Sequence, residues 1–266
     1  MSRPRFPRRR TRASRRGSPR VTATAGFPDV ERTLDGFVGG LTELLGDELV
    51  GVYLHGSLAL GTFDPGQSDI DFLVVSERDL GVHDVERLDG LHRALGDRLD
   101  GSYLPRDVVR RYDSARVMHP HIESRGGRLF VDHHGGETVI HRYVLRKCGV
   151  VLLGPPLREL IDHIDAEQLR WGVCHVLTTW WAPMLAQSPA WLFEPPYQAY
   201  AVVTMCRVRY TLDCDDVVSK PAAAEWALAQ LEPEWHSLIR RAVAREDCGY
   251  DETVAFVRAT LASASC

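Results

Sequence analysis

The stretch "LHGSLALGTFDPGQSDIDFLVV", residues 54–75, decides how this chain is read. Gly56-Ser57 stands directly after the β-rich run "LVGVYLH" (49–55), and Asp69 and Asp71 head a second apolar run, "DIDFLVV" (69–75). Between them "TFDPGQS" (62–68) is turn chemistry around Pro65-Gly66. The pattern predicts two strands joined through that turn. In a strand, residues i and i+2 share a face about 6.5–7 Å apart, so Asp69 and Asp71 present two carboxylates side by side. Two such acids repel unless a cation sits between them. Hard oxygen ligands suit Mg²⁺, which is usually shared with substrate phosphates. At the end of the first strand, Gly56 allows close backbone approach and Ser57 adds a hydroxyl donor. A turn there exposes backbone N–H groups, a ready anion site. A lone Asp-x-Asp reads as solvated acids at a strand end; the pairing with Gly-Ser turns it into a nucleotide-phosphate site.

A third short run, "LDGSYLP" (99–105), carries Asp100 and stops at Pro105. Laid beside the second strand, it would bring Asp100 to the other two acids. Three carboxylates could then hold metal and activate a hydroxyl for in-line attack on phosphorus. Glu123 is a second candidate for the base, although no predicted strand aims it.

Working outward, residues 29–45 have helical apolar spacing (Val30, Leu34, Phe37, Val38, Leu41, Leu44, Leu45), and residues 82–98 also read as a helix. A Gly- and His-rich loop is expected over 119–136, a helix over 137–147 and a short strand or turn at 149–156. From Asp165 helices dominate, with breaks at Pro183, Pro195-Pro196, Pro221, Pro233 and Gly249. The histidines His119, His121, His133 and His134 cluster in the expected loop; zinc is one reading and solvated polar residues the plainer one. Trp171, Trp180 and Trp181 lie at helical spacing and read as core or interdomain packing.

The chain has 266 residues, enough for two modest domains with real cores. Residues 1–20 hold nine arginines and no acid; without them 23 basic residues face 36 acids, about −13. The tail is too poor in apolar residues to fold. It reads as a dispensable extension, with transit-peptide composition or an anionic contact as the other uses. The acidic body suits a cationic small molecule and argues against nucleic acid as the main substrate. No apolar run reaches the roughly 18–20 residues of a membrane span, and no secretory h-region is present. Six cysteines without a CxxC read as reduced thiols of a cytoplasmic protein.

The 54–75 stretch resembles the Gly-Ser-x(about 10)-Asp-x-Asp signature of the polymerase-β-like nucleotidyltransferase superfamily. The runs "VVLLGPPLRELID" (150–162) and "CRVRYTLDCDDVVSKPAAAEWAL" (206–228) are similar to the helical domain of the aminoglycoside 3''/9-adenylyltransferases. Those enzymes transfer AMP from ATP to streptomycin or spectinomycin. The resemblance covers about residues 30–245. It implies ATP and Mg as co-substrate and cofactor. By motif, Gly56, Ser57 and Ser68 would hold the phosphates, and Asp69 and Asp71 the metal. Asp100 stands where the family has a Glu base, and it too would reach the metal. Arg207 and Lys220 would clasp the triphosphate; the plainer role of Arg207 is a buried ion pair with Asp213. The family's drug-binding acids and aromatic are poorly matched here. Glu194, Trp191 and Tyr197 are the acceptor candidates, and His133-His134 stands where an aromatic platform is looked for.

The expected fold class is α+β. A nucleotidyltransferase domain (26–154) with a small mixed β-sheet and flanking helices follows a disordered tail (1–25) and precedes an all-α bundle (155–266). The expected activity is adenylyl transfer to a small, cationic acceptor by a monomer. A catalytically weak nucleotide-binding regulator, and a protein- or RNA-modifying nucleotidyltransferase guided by the tail, are the alternatives.

Overall fold

A computed structural model describes residues 26–124, 127–135, 137–187, 189–264 and 266. The Arg-rich tail (1–25) lies outside the described residues. The N-terminal part runs α1 (Pro28–Leu45), β1 (Leu49–Leu54), α2 (Gly56–Ala59), β2 (Ile70–Ser76), α3 (Val82–Leu95), β3 (Leu99–Pro105) and α4 (Arg106–Arg110). It continues through β4 (Met118–Ile122), β5 (Phe130–His133), α5 (Glu137–Cys148), β6 (Val150–Leu153) and α6 (Leu157–Leu160). The six strands form one mixed sheet in the order β5-β4-β3-β2-β1-β6. Only β2 and β3 are parallel, joined by the crossover helix α3; the other neighbours are antiparallel.

Period-two alternation explains why β2 reads as a continuous apolar run. Ile70, Phe72 and Val74 join one apolar cluster with Leu34, Phe37 and Leu41 of α1. Leu73 and Val75 join another, with Tyr53, Val109, Leu145 and Leu157. Both faces of the sheet are covered, so neither set of positions can be polar. Leu157, Leu160 and Ile161 pack in this second cluster, so α6 follows the sheet.

The C-terminal part is helical: α7 (Ala166–Val176), a π-helical turn (Leu177–Trp181), α8 (Ala182–Gln187), α9 (Pro195–Cys214), α10 (Lys220–Gln230), α11 (His236–Ala244) and α12 (Tyr250–Ser263). Starts are written locally. Asp165 accepts from the Gln168 N–H at 2.8 Å while the Gln168 side chain accepts from the Asp165 N–H at 3.1 Å, a reciprocal cap on α7. Pro195 and Pro221 occupy first-turn positions, where a missing N–H costs nothing. Helix α9 carries the centre of the core with Ala201, Val202, Met205 and Cys206. The fold is thus α+β, a mixed six-stranded sheet followed by a helical bundle. Among the described residues no helix is long and apolar enough to cross a membrane.

Five expectations change. The 119–136 loop contains β4 and β5, which pair in antiparallel register from Met118↔His133 to His121↔Phe130. All of β5 is exposed, so no apolar alternation marks it; backbone pairing alone makes it a strand. The helix read to residue 98 ends at Leu95, before Gly96. Pro183 does not break the chain: the π turn before it absorbs the missing N–H and the helix continues. Of the three tryptophans, Trp181 is core at 1% exposure, whereas Trp171 and Trp180 are 44% and 45% exposed. Trp171 stacks on His175 one turn along α7, and Trp180 on Trp191, so both lie on the surface of the bundle. Finally, Cys174 and Cys266, 92 residues apart, are joined in a disulfide, while Cys148, Cys206, Cys214 and Cys248 are free.

Candidate active site

The parallel register of β2 and β3 sets Asp71 directly opposite Asp100. Facing residues in a parallel pair lie on the same side of the sheet, so the two half-buried carboxylates share a face. Asp69 is half-buried one residue before β2 begins. Burial raises the Asp100 pKa above the usual carboxylate range; the Ser124 N–H, donating to Oδ2 at 3.1 Å, opposes the rise. The charges of Asp71 and Asp69 add to it, and His121 subtracts. The three acids therefore feel one another.

Gly56 has φ +55°, and a Cβ placed on it would meet Asp71 Oδ2 at 1.9 Å. The backbone of the Gly-Ser turn thus lies against the carboxylate, an approach open only to glycine. His55, one residue earlier, donates its backbone N–H to the Asp71 carbonyl at 3.0 Å. Burial lowers the imidazole pKa, and Asp71 pulls it back upward. Ser57 is half-buried on α2. The Ser68 hydroxyl accepts from the Asp64 N–H at 3.0 Å inside the Pro65-Gly66 turn. Arg98 secures that turn by donating to the Pro65 carbonyl at 3.1 Å and the Ser68 carbonyl at 3.0 Å.

The helical bundle faces these acids with cations. Burial lowers the Arg207 pKa, while Tyr200 and Asp71 raise it; Asp213 is not among its electrostatic partners. Its Nε is buried without a hydrogen-bond partner. Lys220 lies 5.3 Å from the centre of the Tyr200 ring. Much of its side chain reaches solvent, yet the protein crowding its ammonium lowers the pKa. Arg207 lowers it further, Asp71 opposes, Arg245 lowers it and Asp69 opposes. Two cations held together at the mouth of an acidic sheet end suit a polyanion bridged to a metal.

Among the described residues no three His, Cys, Asp or Glu side chains stand close enough to enclose a metal ion by themselves. The aspartates offer a partial, all-oxygen shell. That fits Mg²⁺, which takes one or two carboxylates and completes its octahedron with water and phosphate oxygens.

The acceptor candidates form a separate group at the start of α9. Trp191 lies 5.4 Å from Tyr197 between ring centres, and Glu194 is exposed at the helix N-cap. Ten residues of helix put Tyr197 about 15 Å along the axis from Arg207. Tyr200, seven residues before Arg207 and so on the same face, lies between them. Sequence reasoning missed Tyr200, His55 and Arg245. His55 adjoins the Gly-Ser motif, and the i, i+7 spacing of Tyr200 and Arg207 was visible. Arg245 carries no local signal. Glu123 is exposed just beyond β4, while its neighbour Ser124 holds Asp100.

A family model described as a nucleotidyltransferase domain matches residues 34–124, and one for the C-terminal domain of aminoglycoside adenylyltransferase matches 159–263. The chain resembles an aminoglycoside 3''/9-adenylyltransferase in both of its parts. It is 26% identical over 241 residues to an aminoglycoside (3'') (9) adenylyltransferase of Shigella flexneri, covering 82% of this chain and 86% of that one. A relative of the same description from Klebsiella pneumoniae is 26% identical over 236 residues, with 80% and 84% covered. In fold, the chain matches the spectinomycin adenyltransferase of Enterococcus faecialis, crystallised with ATP and spectinomycin. The TM-score is 0.70 at 15% identity, over 88% of this chain and 99% of that one.

Proposed function

We propose that this nucleotidyltransferase transfers AMP from ATP to a hydroxyl of a small cationic acceptor, an aminoglycoside or aminocyclitol of the streptomycin or spectinomycin kind. One observation carries the reading. Asp71 faces Asp100 across the sheet, lies against the Gly56 backbone and interacts electrostatically with both Arg207 and Lys220. The acceptor oxygen attacks the α-phosphorus, the bond to the bridging oxygen breaks, and pyrophosphate leaves. Asp100 accepts the hydroxyl proton; burial already raises its affinity for one. Arg207 and Lys220 neutralise charge on the departing phosphates. Gly56, Ser57 and Ser68 position the phosphate chain. Asp69 and Asp71 would hold Mg²⁺, whose shell Asp100 borders; the ion would supply Lewis-acid polarisation at phosphorus.

On the acceptor side, Glu194 supplies a carboxylate and Trp191 and Tyr197 aromatic faces for ammonium groups. The names of the relatives and the structural neighbour support the acceptor class. Residues 26–154 and 155–266 serve as the two domains, α6 packing back on the first. The protein works as a cytoplasmic monomer, where thiols would keep the Cys174–Cys266 pair reducible. The test measures pyrophosphate release with ATP, Mg²⁺ and a panel of aminocyclitols. Acceptor-dependent release supports the reading. ATP binding without release from any acceptor would favour a regulator, a reading to which the shorter Asp100 lends itself.

A further inference from the structure

The chain has 32 lysines and arginines, and only two of them, Lys147 and Lys220, are lysines. Lys147 is anchored: its ammonium donates to Asp216 Oδ1 and, at 3.1 Å, to the Val217 carbonyl. Among the described residues Lys220 donates no such hydrogen bond and joins no ion pair. Its Nζ lies 5.3 Å from the centre of the Tyr200 ring, within cation–π range. The charges around it pull in different directions. Arg207 and Arg245 repel the ammonium, while Asp71 and Asp69 attract it. A flexible four-carbon stem leaves such a charge many positions unless a fixed surface holds it.

Tyr200 is such a surface. It stands within α9, seven residues before Arg207 and on the same helix face. Its ring stacks against the core residue Trp181, 6.3 Å between centres and 23° between planes. A tyrosine has only two side-chain torsions, so a ring backed by the core keeps its place at little entropic cost. Yet Tyr200 is 42% exposed, so packing against Trp181 leaves much of the ring open. The face of an aromatic ring is electron-rich and attracts an ammonium. Tyr200 also interacts electrostatically with Arg207, so one side chain acts on both cations of the bundle.

We propose that Tyr200 is a positioning residue for nucleotide binding: its ring face holds the Lys220 ammonium, against repulsion from Arg207 and Arg245, where the triphosphate meets it. The proposal rests on the reading of Lys220 as a phosphate contact. Preorganisation is the physical gain, because a cation already in place loses less freedom when ATP arrives. The ring carries this role and the hydroxyl does not. Phenylalanine therefore serves at this position, and an aliphatic chain does not.

Two lysines make the test direct. In the full chain grown with isotope-labelled lysine, NMR shows the ε-methylene signals of Lys147 and Lys220 alone, Lys147 serving as the internal reference. The ring shifts the Lys220 signal upfield in the wild type and in Tyr200→Phe. In Tyr200→Leu the signal returns to the free-lysine position while that of Lys147 stays. Calorimetry on the same samples with ATP and Mg²⁺ gives a dissociation constant raised about five- to thirtyfold in Tyr200→Leu, and unchanged in Tyr200→Phe. In a Lys220→Ala background Tyr200→Leu costs nothing further, because the contact it supports is already gone. An unshifted Lys220 signal in the wild type, a readout that needs no variant to fold, overturns the proposal. So does equal ATP affinity in Tyr200→Leu and wild type, or an equal loss from Tyr200→Leu with and without Lys220. A Lys220→Ala variant that binds ATP like the wild type removes the phosphate reading of Lys220 and the proposal with it, even where the ring shift is present.

Discussion

Replacing Gly56 by alanine tests whether the Gly-Ser turn and the β2 acid form one unit. The added Cβ would lie 1.9 Å from Asp71 Oδ2 and 2.4 Å from its Cγ, where ordinary contact begins at 3.4 Å. One partner must therefore retreat by about 1.5 Å, and displacement of that order at a reacting centre costs about 10²-fold in rate. Gly56 also has φ +55°, which costs an L-residue about 1–2 kcal/mol. Gly61 provides the control. It has φ +70° and nothing within 4 Å of its would-be Cβ, so Gly61→Ala carries the backbone cost without the collision. Both variants should lose a few degrees of Tm, about 2–4 °C per kcal/mol for a chain of this size. Only Gly56→Ala should also lose about 10²-fold or more in acceptor-dependent pyrophosphate release. If Gly56→Ala keeps turnover within about threefold of wild type, or if Gly61→Ala falls equally far, Asp71 does not act through this contact.

Asp100→Asn should cut turnover about 10²–10⁴-fold, because a general base is removed, while ATP affinity by calorimetry falls much less. Burial raises the Asp100 pKa, so ionising it costs stability as pH rises above the unfolded carboxylate value; at neutral pH Asp100→Asn should therefore show a higher Tm than wild type. Asp100→Glu separates a short reach from a rebuilt pocket: higher activity on an aminocyclitol indicates the former, lower activity the latter. Lys220→Ala should weaken ATP binding more than acceptor binding, and equal ATP affinities would remove Lys220 from the phosphate site. His92 is 2% exposed, lies 2.6 Å from the Tyr103 hydroxyl and has its pKa pushed down to about 4 by burial. The unfolded chain binds its proton first, so this stabilisation is present above pH 6.5 and is lost between 6.5 and 4, about 3 kcal/mol in all. His92→Phe should flatten that part of the denaturant-midpoint profile, and an unchanged slope would mean that another group titrates there.

Sequence alone carried whatever depends on near neighbours. The apolar spacing of Val30, Leu34, Phe37 and Leu41 specified α1, and the β-rich runs ending at Gly56 and Pro105 specified β1 and β3, because periodicity and breakers act within a few residues. The Gly-Ser and Asp-x-Asp motifs were legible for the same reason: both lie within one 22-residue strand–turn–strand stretch. What joins distant segments had no local signature. Asp71 meets Asp100 only because the α3 crossover sets β2 and β3 parallel and in register. Arg207 and Lys220, well over a hundred residues further on, were assigned through resemblance; α9 and α10 had to pack before the cations could face the acids. Strand β5 escaped notice because each of its residues is exposed, so pairing with β4 and not burial defines it. The Cys174–Cys266 bond closes over 92 residues, and no spacing rule reaches that far. Arg142 looks in "VIHRYVLRKC" like any polar helix residue; only packing beneath the Val108 carbonyl makes it a buried charge. Electrostatic cost depends on how completely water is excluded, and exclusion is a property of the packed fold.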